Sequence, residues 1–67
     1  MLTVTVTYDP SANRSPDTVK LNGHSTLTPK AAIAARNVAA GMAANAYVTD
    51  GTSTYRVTRN NARKVER

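Results

Sequence analysis

This chain has no cysteine, so it has neither a disulfide framework nor thiolate ligands for a structural zinc. It also lacks tryptophan and phenylalanine; its aromatics are three tyrosines. One histidine, His24, is too little for an imidazole metal site or a His-based catalytic pair. No apolar run approaches the roughly 20 residues that a membrane span needs. The N-terminus, Met1-Leu2-Thr3-Val4-Thr5, reads without a charged leader or small-residue cleavage site, so the expected location is cytoplasmic. Acidic residues are scarce: four against nine Lys and Arg, a formal charge of +5. That imbalance leans toward anionic partners.

At 67 residues the chain is one small domain, near the lower limit for folding without staples. Alanine makes up much of its 40 % hydrophobic fraction and buries little area per residue. The core is therefore thin, and a partner or homodimer contact would help offset conformational entropy. The Ala, Thr, Val and Arg vocabulary matches a high-GC bacterial or phage coding style.

The only strongly helical stretch runs from Thr28 to Tyr47, with Asn45 to Tyr47 reading equally as helix end or strand start. Alanine loses no side-chain entropy in a helix, Thr28 is a good N-cap, and Pro29 suits the first helical position. Leu27, just before the cap, is placed as a hydrophobic staple. At about 100° per residue, Ala31, Ala35, Val38, Ala39, Met42 and Ala46 fall on the side expected to face a sheet. Ile33, Ala40, Ala44 and Tyr47, flanked by Arg36 and Asn37, fall on the outer side.

Leu2 to Tyr8 alternates apolar and threonine without a break, the pattern of a half-buried strand. Asp9–Asp17 is a proline-bracketed loop with Arg14 at its tip, a candidate recognition loop. Thr18–Asn22 reads as a second strand returning antiparallel to the first. Beyond the helix, Asp50-Gly51 predicts a two-residue hairpin turn pairing Val48 with Ser53 and Ala46 with Tyr55. Residues 60–67 read as a basic tail, either one helical turn or disordered, after a domain spanning 1–59. The expected fold is α+β: a ββαββ domain with one Ala-rich helix on a mainly antiparallel sheet.

Catalysis finds little support. Asp9, Asp17, Asp50 and Glu66 lie in turns or the tail, not paired across a cleft on rigid elements. His24-Ser25 is a loop histidine beside a turn serine, with no third group to orient a nucleophile. No Walker loop or GxGxxG is present. The chain is expected not to be an enzyme and to need no metal, cofactor or small-molecule substrate.

Two surfaces remain. Ile33, Arg36, Asn37, Ala40, Ala44 and Tyr47 suggest an apolar patch rimmed by polar groups, suited to a protein partner or a second copy. This predicts a small binding protein, of a phage accessory or inhibitor type, acting by protein–protein contact. The alternative is nucleic-acid binding through Arg56, Arg59, Arg63, Lys64 and Arg67, with Tyr47 and threonine hydroxyls on the same sheet face. A third reading, a structural subunit joined through strand edges, rests on the all-threonine face of the first strand.

Overall fold

The computed structural model describes residues 1–41 and 45–65. Five strands and one helix follow in the order β1 (Leu2–Tyr8), β2 (Asp17–Leu21), α1 (Pro29–Ala40), β3 (Ala46–Thr49), β4 (Thr54–Thr58) and β5 (Asn61–Val65). The strands form one antiparallel sheet in the order β2-β1-β3-β4-β5, with α1 packed across it. This is the expected α+β architecture with one strand more. No helix among the described residues is long and apolar enough to cross a membrane.

β1 follows its sequence alternation. Leu2, Val4, Val6 and Tyr8 are buried toward the helix, and the threonines between them face the other way. β2 returns antiparallel, pairing Val19 with Val4 and Leu21 with Leu2. The intervening loop opens with a 3-10 turn, Pro10–Ala12, in which the Ala12 amide donates to the Asp9 carbonyl. Arg14 then folds back, its guanidinium carbon 4.5 Å from the centre of the Tyr8 ring. From there it lies 3.7 Å from the Asp17 carboxylate and 3.4 Å from the Ala39 carbonyl in the last turn of α1. The Tyr8 hydroxyl donates to Asp17 at 2.6 Å. Burial first, and the neighbouring carboxylate second, raise the Tyr8 pKa, so this phenol stays protonated as the donor. The tip residue Arg14 thus ties the loop to the sheet and the helix end.

The helix starts as its sequence directs. Thr28 Oγ1 accepts from the Ala31 amide at 3.1 Å, and Leu27 is buried beneath it. It ends sooner than the alanine run suggests. Gly41 takes a φ of 85° and closes the last turn by donating to the Asn37 carbonyl. Met42, Ala43 and Ala44 lie outside the described residues, and Ala46 and Tyr47 belong to β3.

The helix is also rolled relative to the expected face. Its buried stripe is Ala31, Ala32, Ala35 and Arg36, whereas Val38, expected to meet the sheet, is 72 % exposed. The stripe follows the smallest side chains because methyl groups let the helix backbone approach the sheet closely, and a branched Val38 would hold it off. Arg36, expected outside, is 0 % exposed and is the largest fully buried side chain among the described residues. Its long stem covers apolar surface that alanine leaves unfilled, and its Nε donates to Asn37 Oδ1 at 2.8 Å.

Two C-terminal expectations are corrected. The β3–β4 connection is a four-residue loop, pairing Val48 with Tyr55 and Ala46 with Val57. The slip of two residues keeps every side chain on its expected face, since strand faces repeat every second residue. Side chains select the longer loop. Asp50 Oδ1 accepts the amides of Thr52 and Ser53 at 2.9 and 2.8 Å, and Thr49 Oγ1 accepts that of Gly51. The Ser53 amide first, and the Thr52 amide second, hold the Asp50 carboxyl below its ordinary pKa. A carboxylate with a depressed native pKa adds stability at neutral pH that is lost as pH falls through that native value. Asp50→Ala is expected to cost about 1 kcal/mol in urea unfolding at pH 7. Asp50→Asn, which still accepts, should cost less and flatten the acid limb of stability below about pH 4. An unchanged limb would show that Asp50 does not cap the loop.

The second correction concerns the tail. Residues 61–65 form β5, an edge strand paired along β4 from Thr58↔Asn61 to Thr54↔Val65. Arg59-Asn60 is its hairpin turn, with Arg59 at φ 51°, a region that costs a side-chain-bearing residue about 1 kcal/mol. Glu66 and Arg67 lie outside the described residues.

Candidate nucleic-acid interface

Among the described residues, the helix covers one face of the sheet and leaves the other open. On the open face the register lines up two adjacent rows. The first runs Thr7–Tyr47–Arg56–Arg63 across β1, β3, β4 and β5, each residue the direct cross-strand partner of the next. The second runs Thr18–Thr5–Thr49–Thr54–Val65 across all five strands. With strands about 4.8 Å apart, the first row spans about 14 Å. Lys20 on β2 adds a further cation, and among the described residues no strand position on this face is acidic.

Arg56 is the centre of the first row. Its Nη1 donates to the Tyr47 hydroxyl at 2.6 Å, and its guanidinium carbon lies 5.0 Å from the ring centre. Asp9, just beyond the end of β1, places Oδ1 3.7 Å from the same nitrogen. On its other side Arg56 faces Arg63, a like-charge pair at a position where opposite charges would stabilise the sheet. Beside these rows lies a concavity of about 720 Å³, lined by Tyr47, Thr49, Gly51, Thr52, Thr54, Lys64 and Val65. No family model, curated protein or solved structure matches the chain.

The structure divides the basic cluster expected from sequence. Arg56 and Arg63 share the open face, Arg59 sits at the β4–β5 turn, and Lys64 lies opposite Tyr55 on the helix side of the β5 edge. Arg67 lies outside the described residues. The helix-face group is divided further. Ile33, Asn37 and Ala40 are half-buried, Arg36 is buried, and Ala44 lies outside the described residues. Tyr47 leaves that group altogether: Gly41 ends the helix, and Tyr47 sits on β3 facing away from it. Lys20, which was not singled out from sequence, and Asp9, read there as a loop carboxylate, join the open face. Asp9 follows the last outward threonine by two residues, so strand alternation alone points to its face. Among the described residues, no three His, Asp or Glu side chains come together in a way that would hold a metal ion.

Proposed function

We propose that this chain is a non-catalytic nucleic-acid-binding module that takes the phosphate backbone across its open sheet face. The observation carrying the reading is the direct opposition of Arg56 and Arg63. Two facing guanidinium side chains disfavour the free sheet, and a polyanion laid between them reverses the sign of that interaction. The setting suits the task. Arg56 is held by the Tyr47 hydroxyl, so its fork is already oriented, and Asp9 is the internal anion that a phosphate displaces. The hydroxyls of Thr5, Thr18 and Thr54 along the second row supply further donors to phosphate or sugar, while Thr49 donates to the Ser53 carbonyl. The helix is the poorer contact surface, because Arg36 is buried and Tyr47 faces away from it.

The test is fluorescence anisotropy of a labelled oligonucleotide of about 15 nucleotides, a length within single-strand site sizes, across a salt series. Affinity should fall steeply with salt as released counterions lose their entropic advantage. Asp9→Asn should tighten binding severalfold and steepen the slope of log K against log salt by about 0.7, because a phosphate no longer competes with the carboxylate for Arg56. Absence of binding at about 50 mM salt, or a slope near zero, would remove this reading.

A further inference from the structure

Resting on the phosphate-binding reading above, we infer that the nucleic acid is single-stranded, with an unpaired base seated in the concavity beside Tyr47. Reading a duplex groove requires an element that projects into it, such as a helix or a free two-stranded ribbon. Here the helix lies on the far side of the sheet. The β4–β5 hairpin is not a free ribbon either, because β4 is paired along Thr54–Val57 with β3. Only its tip, Thr58 to Asn61, extends past that pairing. A sheet face offers its side chains in a shallow plane, which a duplex touches only along one line of phosphates. A single strand can lie along the rows and turn its bases toward the protein.

The chemistry beside the basic row matches this. Tyr47 supplies an aromatic ring on the open face with the Arg56 guanidinium over one side of it, so the other side is the stacking surface and a phosphate contact is adjacent. The concavity of about 720 Å³ next to it carries Thr52 and Thr54 at its wall, hydroxyl donors suited to base edges. Such a size falls within the range of pockets that hold small organic groups. Stacking tolerates any base because each has a π face, so little sequence preference is expected.

The experiment compares a single-stranded mixed-sequence oligonucleotide of the same length with its blunt duplex, each at matched salt, on the full chain and on two variants. The single strand should bind at least about tenfold tighter than the duplex. Tyr47→Leu should lower single-strand affinity about tenfold more than it lowers duplex affinity, since both probes lose the hydroxyl that holds Arg56 and only the single strand loses the stacking ring. Tyr47→Phe retains the ring and loses only the hydroxyl that meets Arg56, so it should bind the single strand more tightly than Tyr47→Leu and lose no more single-strand than duplex affinity. Far-ultraviolet circular dichroism confirms that both variants keep the fold. Equal or tighter duplex binding would overturn the inference while leaving phosphate binding in place. If the Tyr47→Phe variant bound the single strand as weakly as the Tyr47→Leu variant, the base seat would be overturned, since the ring would then contribute nothing. Failure of both probes to bind the parent would remove the phosphate reading itself.

Discussion

Arg36→Ala is expected to destabilise the fold by about 3 kcal/mol or more in urea unfolding, whereas Arg36→Met should cost far less. The side chain is fully buried beneath a helix whose other buried residues are alanines, so it fills volume that those short side chains leave. Truncation leaves a cavity that the close-packed alanine stripe cannot collapse into, and it removes the donor to Asn37 Oδ1. Methionine retains most of the volume, adapts its shape, and gives up a buried charge that is costly to desolvate. In a domain this small, whose whole stability is a few kcal/mol, the alanine variant should be largely unfolded at about 37 °C. Equal losses in the two variants would mean that hydrogen bonding and charge, and not packed volume, keep Arg36 in the core.

Arg36 also marks where the sequence was hardest to read. Periodicity places apolar residues on one arc of the helix, and with alanines spread around α1 the arc is weakly defined. Val38 and Met42 drew the expected face toward themselves because they are large. In the folded chain, closeness of approach decided instead: Ala31, Ala32 and Ala35 face the sheet, and the long arginine fills the space beside them. A charge is read from sequence as a solvent-seeking group, so nothing local announced that this one turns inward.

The strands show the opposite behaviour. β1 was legible to the residue because its alternation is complete. β3 and β4 were placed on the correct faces despite a wrong loop length, since an even slip leaves alternation intact. β5 was missed because Asn61-Ala62-Arg63-Lys64-Val65 carries almost no apolar alternation of its own. Its Ala62 alone packs against the core, and its conformation comes from the ladder with β4. The candidate site depends on that missed strand. Arg56 was visible as a strand cation, but its opposition to Arg63 exists only once β5 is paired.

That opposition leads to the second large effect: Arg63→Glu should stabilise the fold and cripple binding together. Glutamate at this position would face Arg56 as an opposite charge, replacing repulsion by attraction at a cross-strand site. The expected gain in urea unfolding is about 0.2–1 kcal/mol, modest because both side chains lie on a solvated face. The same carboxylate would occupy Arg56 from one side while Asp9 holds it from the other, leaving no guanidinium edge for phosphate. It would also place a negative charge in the middle of the row. Affinity for the single-stranded oligonucleotide should then fall by more than about tenfold, and the salt slope should drop by more than the removal of one cation accounts for. A residue kept for the stability of the free sheet would behave differently, with stability and binding falling together or binding not moving at all. Opposite signs in the two measurements are what a position shaped by an anionic partner requires, because the charge that weakens the sheet alone is the one that the partner uses.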